Sequence, residues 1–131
     1  MNGMLQDYKR EILPLHAQLS LTEIYHRLKT KPEGIAEFCQ RWQLVEFTLF
    51  GSILRSDFRE NGDNPSDVNV LFTYGENARK NLLLLVEMKY ELEDLFHREV
   101  DVVSKTALLR DHNPIRQANI LGSSRIIYRT R

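Results

Sequence analysis

The sequence predicts an α+β fold in which a small mixed β-sheet packs against helices. Two β-rich runs, Val45 to Phe50 and Asp67 to Phe72, are separated by a Gly-Ser turn and a loop rich in Asn, Gly, Asp and Pro. A third run, Glu99 to Val103, follows a long helical pattern, and helical periodicity fills most of the remainder. Helices, two strands, a long helix, a third strand and a helix, in that order, make an α+β layer with the sheet covered on one side.

Each element has a local cause. Ser20 with Glu23 three residues on reads as a capping box, so a helix is expected from Leu21 to about Lys29 with Leu21, Ile24, Tyr25 and Leu28 inward. Pro32 suits the first turn of a second helix, whose Ile35, Phe38, Cys39 and Trp42 share one stripe. The two β-rich runs suggest an antiparallel pair, with a short helical turn after Ser52. Asn77 is the expected cap of a long helix reaching about His97, with Leu85, Met88, Leu92 and Leu95 on its apolar side. Pro114 opens a closing helix expected to bury Ile115, Ala118 and Leu121, and Ile126 to Tyr128 suits a last strand.

At 131 residues with 42% apolar content, the chain fits a single domain over 1–131. Eighteen basic residues balance eighteen acidic ones, which excludes a strong overall field towards nucleic acid or anionic membrane. The basic end, Arg110, Arg116, Arg125, Arg129 and Arg131, reads as a solvated face, and direct nucleic-acid binding is not expected. The lone Cys39 rules out an internal disulfide framework. The longest apolar run, Leu82 to Val86, is too short for a membrane span, so a soluble, unprocessed, cytoplasmic protein is expected.

One constellation carries chemistry. Gly51-Ser52, leaving a strand and opening a helical turn, presents N–H groups and a hydroxyl suited to gripping a triphosphate. On the next strand Asp67 and Asn69 point the same way, and Asp101 is a carboxylate in an otherwise apolar strand. Pairing that strand beside Asp67 would create a hard oxygen site for Mg²⁺. Taken singly, Asp67 also suits an Asx-type cap and Asp101 a strand-end ion pair; their joint placement favours the site. His16, His26, His97 and His112 lack metal-ligand spacing and receive no role.

Leu49-Phe50-Gly51-Ser52, then Arg55, then Ser66-Asp67-Val68-Asn69-Val70, then Val100-Asp101-Val102-Val103 resemble the minimal nucleotidyltransferase (MNT) family of the DNA polymerase beta superfamily. The resemblance covers roughly residues 35 to 128, with N-terminal helices in 1–32 outside its specific part. It implies the polymerase-beta-like nucleotidyltransferase fold, a phosphate-binding role for Gly51, Ser52 and Arg55, and catalytic acids at Asp67 and Asp101. It further implies an NTP substrate, ATP first, and two Mg²⁺ ions at Asp67, Asn69 and Asp101. The family's second acid is Asn69 here, a neutral ligand, so a weakened metal site and weakened turnover are expected. The spacer from Ser52 to Asp67 holds fourteen residues, about four more than the family's usual length, which a longer hairpin tip absorbs.

The resemblance leads to a nucleotidyltransferase that moves AMP, or another nucleoside monophosphate, to a protein hydroxyl, as antitoxin to a HEPN-domain toxin. The alternative is a catalytically impaired relative that binds a partner or nucleotide without turnover. An aminoglycoside-type transferase is disfavoured, since that class needs a further domain to hold its acceptor. The nucleotide, the acceptor and any homo-oligomer stay open at this level.

Overall fold

A computed structural model describes residues 19–130. The elements are α1 (Leu21–Leu28), α2 (Pro32–Trp42), β1 (Leu44–Phe50), a 3-10 turn (Gly51–Leu54), β2 (Val68–Tyr74), α3 (Leu82–Phe96), β3 (Val100–Ser104), α4 (Lys105–Leu109), α5 (Pro114–Gly122) and β4 (Ser124–Arg129). The expectations for residues 1–18, His16 among them, lie outside the described residues.

The sheet order is β3-β2-β1-β4. β1 pairs antiparallel with both β2 and β4, while β3 runs parallel to β2, so the sheet is mixed as expected. The parallel step needs a crossover, and α3 supplies it. One face of the sheet carries the main core: Phe47 and Leu49 of β1, Val68, Val70 and Phe72 of β2, and Val100 of β3 pack with α1, α2 and α3 through Ile24, Leu28, Ile35, Phe38, Met88, Leu92 and Phe96. Cys39 is buried in the same cluster, and burial pushes its thiol up to about 12, so it stays an inert thiol at neutral pH.

Local signals account for most boundaries. Ser20 accepts a hydrogen bond from the Glu23 amide at 3.1 Å, and Pro32 stands in the first turn of α2. Lys29, Gln43 and His97 end α1, α2 and α3 in the left-handed region, with φ of 58°, 55° and 56°. Glu91 of α3 accepts from Arg41 at 2.7 Å and from the Trp42 indole at 3.0 Å, which locks α3 to α2. Lys89 and Glu93 tie α3 to β3: Lys89 donates to the Val100 carbonyl at 2.8 Å, and Glu93 accepts from the Val100 amide at 3.1 Å.

Several expectations are corrected. The long helix starts at Leu82, capped by the Asn81 side chain at 2.8 Å from the Leu84 amide, not by Asn77. Leu21 is 47% exposed because it precedes the buried turn of α1. α4, whose N-cap is Ser104, was not expected. It packs against β2 and β3, and Leu71 and Thr48, opposite in pleat to the main core, are buried too. The second sheet face is therefore partly covered. α5 forms where Pro114 marks it, yet buries none of its residues, and Ile115 is 72% exposed. Its apolar residues thus build no core within the described chain.

Candidate active site

The turn out of β1 is shaped by Gly51. Its φ is +84°, a conformation that side chains disfavour, and a Cβ there would lie 2.5 Å from Asn69 Nδ2. The second fact follows from the ladder, since Phe50 pairs with Asn69 and the chain turns immediately afterwards. Ser52 follows inside the 3-10 turn, and its carbonyl accepts from the Arg55 amide at 2.8 Å.

Asp67 stands one residue before β2, and the Val68 amide already bonds to the Glu99 carbonyl at 3.0 Å. Strand alternation sends Val68 and Val70 into the core and leaves Asp67 and Asn69 on the opposite side. The parallel register then sets Asn69 directly beside Asp101. Ser52, Asp67 and Asn69 line one cleft of about 310 Å³, with Arg55, Asp57, Arg59, Asn64 and Ser66 completing a wall that is polar except for Pro65. Asp101 is exposed and lies outside that lining, one strand further along the same face.

Neither Asp67 nor Asp101 forms a salt bridge among the described residues. Charge reaches them at longer range. Lys89 has its pKa raised, chiefly by its hydrogen bond to Glu93, with Asp101 and Glu99 adding to the effect. Burial lowers the pKa of Arg98, and Glu60 and Asp67 act against that shift. Arg55 grips Asp57 through Nε at 3.0 Å and Nη2 at 3.3 Å, and that hydrogen bond, first of all, holds the Asp57 carboxyl below its usual range. Both partners are exposed, so an incoming polyphosphate competes with a weak pair.

Residues outside the sequence motif shape the cleft. Arg98 is only 8% exposed and donates to the carbonyls of Arg59 at 3.2 Å, Ser66 at 2.8 Å and Glu60 at 2.9 Å. Arg27 of α1 donates to the carbonyls of Ile53 at 2.9 Å and Arg55 at 2.6 Å. Phe58 takes both guanidiniums against its ring, Arg27 at 5.4 Å and Arg98 at 4.5 Å from the centroid. Buried Ser66 pins the neck of the loop, accepting from the Arg59 amide at 2.8 Å while its own amide donates to the Arg59 carbonyl at 2.9 Å. Sequence reading missed Arg27, Phe58 and Arg98; the available signal was an aromatic residue in a polar loop and an arginine squeezed between a helix end and an apolar strand.

The donor chemistry can be weighed against a metal. No group of three His, Cys, Asp or Glu side chains fit for a metal occurs among the described residues. Two carboxylates and one amide oxygen remain, which suit one hard divalent cation and supply too little charge for two without the substrate's phosphates.

A family model described as Nucleotidyltransferase domain matches residues 31–127. The chain belongs to this family. Among relatives of this nucleotidyltransferase is the Methanocaldococcus jannaschii protein named "Putative protein adenylyltransferase MJ0435", 35% identical over 77 residues, which are 59% of this chain and 72% of that one. The fold of this chain is similar to a chain in the solved complex of tri-AMPylated Shewanella oneidensis HEPN toxin with MNT antitoxin, at a TM-score of 0.51 and 16% identity, covering 76% of this chain and 70% of that one. A solved toxin-antitoxin with AMP-PNP matches at a TM-score of 0.53 and 16% identity, covering 77% and 75%. Such low identities speak for the fold, which is the nucleotidyltransferase fold of MNT proteins. No helix among the described residues is long and apolar enough to cross a membrane.

Proposed function

We propose that this nucleotidyltransferase transfers AMP from ATP to a hydroxyl of a protein partner, as the antitoxin of a pair whose toxin is a HEPN-domain protein. The observation that carries the reading is the cleft lined by Ser52, Asp67 and Asn69, with Asp101 beside Asn69 across the ladder, in a chain of this family. Relatives named for protein adenylylation, and structural neighbours that pair an MNT antitoxin with an AMPylated HEPN toxin, support the choice of nucleotide and acceptor.

The chain's own groups divide the work. Ser52 and the turn amides hold the phosphates, with Arg55 released from Asp57 to face them. Gly51 keeps this turn pressed against Asn69. Asp101, exposed and without a salt bridge, accepts the proton of the attacking hydroxyl. The hydroxyl oxygen bonds to the α-phosphorus, the bond from that phosphorus to the bridging oxygen of the β-phosphate breaks, and pyrophosphate leaves with the electron pair. Asp67 and Asp101, with the Asn69 amide oxygen, would hold Mg²⁺, which when bound neutralises triphosphate charge.

Asn69 favours a second reading, in which nucleotide or partner binds and transfer is slow or absent, because one compensating charge is missing. Incubation of the chain and its HEPN partner with Mg²⁺ and ATP labelled at the α- or the γ-phosphate separates the two. Label on the partner from the α-position alone supports adenylylation. Nucleotide binding with no labelled protein supports the second reading, and label from the γ-position would contradict both.

A further inference from the structure

We propose that Arg98 is a positioning residue that preforms the triphosphate cleft by clamping the loop of residues 55–66 from beneath; the substrate class rests on the function proposed above. Its guanidinium is buried, yet every hydrogen bond it makes goes to a main-chain carbonyl of that one loop: Arg59, Glu60 and Ser66. A buried cation is costly, so a side chain placed there needs several well-directed acceptors. Nη1 of the guanidinium fork serves the Arg59 and Ser66 carbonyls and Nη2 the Glu60 carbonyl, a two-armed reach that a single ammonium lacks, while the buried Nε has no partner among the described residues.

The clamp has a second jaw. Arg27, reaching from α1, holds the carbonyls of Ile53 and Arg55 at the other end of the same segment, and Phe58 lies between the two guanidiniums. Between the jaws the loop carries Arg55, Arg59 and Ser66 along the cleft wall and delivers the chain to Asp67. With the jaws closed, the ordering cost of the loop is met in the free protein and not on binding. Buried Ile53 and Leu54 and the Ser66–Arg59 hydrogen bonds fix the two ends of the segment from Ile53 to Ser66, and the clamp adds order to the stretch between them.

Amide hydrogen exchange of the ligand-free protein tests the clamp without any nucleotide. In Arg98→Lys, the Arg59 and Ser66 amides should exchange at least about tenfold faster than in the parent, while β1 and β2 amides stay as protected as before. Phe58→Leu, which leaves Arg98 in place, should loosen the same amides to a smaller degree and covers the case in which Arg98→Lys fails to fold. Binding of a fluorescent ATP analogue should weaken on the order of tenfold in Arg98→Lys, with single-turnover transfer at saturating ATP changed far less. Unchanged loop exchange in both variants would overturn the clamp. Full rescue of both loop protection and affinity by Lys would overturn the fork geometry and leave a charge effect. Absence of nucleotide binding in the parent would count against the proposed function, and the exchange result would still decide the clamp.

Discussion

Asn69 is the residue on which the chemistry turns. It occupies the position between Asp67 and Asp101 on one sheet face, pressed against Gly51, so its side chain is fixed near the turn of Gly51–Leu54. Replacing it with Asp would add an anionic oxygen donor to a set that holds two carboxylates. Asn69→Asp should therefore raise Mg²⁺ affinity and AMP transfer on the order of tenfold or more, as measured by calorimetric titration and label transfer. The same change crowds three carboxylates, so the metal-free protein should lose about 1 kcal/mol in urea unfolding, and Mg²⁺ with nucleotide should restore it. No gain in either metal affinity or transfer would mean that the neutral amide is not the limiting defect. That Asp67 and Asn69 share a strand face was readable from alternation, and their grouping with Ser52 into one site was implied by the family resemblance. Arg98 was not, because its role depends on carbonyls of residues 59, 60 and 66, and no local pattern announces which distant main-chain acceptors a buried arginine will find.

At the scale of elements, the strands were legible where β-branched and aromatic residues alternate, and the first two helices where a capping Ser20 and an opening Pro32 frame an apolar stripe. The place of β3 beside Asp67 in a mixed sheet was expected too, but its direction was not stated, since pairing direction follows from the crossover and not from the strand's own residues. α5 shows the limit from the other side: its periodicity is helical, and it is a helix, but amphipathicity does not say that anything covers the apolar side. Away from the site, β1 and β4 are strapped through buried Glu46, which accepts from Lys105 at 2.9 Å and from Arg129 at 2.8 Å and 3.1 Å. Burial opposes ionisation there, but the hydrogen bonds from Lys105 and Arg129 prevail and hold the carboxyl below its ordinary value of 4.5. A depressed carboxyl stabilises the fold above its unfolded pKa and stops doing so as pH falls through the folded one. Glu46→Gln should thus be about 1 to 2 kcal/mol less stable than the parent at neutral pH. The gap should narrow as acid is added below pH 4.5, followed by urea unfolding across pH. A gap independent of pH would mean that the strap acts through packing and not through charge.

The described residues set the polar cleft at the start of β2, where β1 turns away, while α1, α2 and α3 fill the other face with the main core. This division lets the site side stay polar without cost to the core. It also explains why α+β class, sheet composition and family were all readable from sequence, whereas the second covering of the sheet by α4 was not: Lys105–Leu109 is too short for a periodic signal. The central claim is that Asp67 and Asp101 act together on a nucleoside triphosphate. Intact-mass measurement of the proposed HEPN partner after incubation with ATP and Mg²⁺ tests it most directly, comparing the parent chain with Asp67→Ala and Asp101→Ala, each confirmed as folded and still bound to that partner. The account predicts an added adenylate with the parent and a loss of at least about a hundredfold in rate with either variant. Adenylate addition at the parent's rate by either folded variant would contradict it.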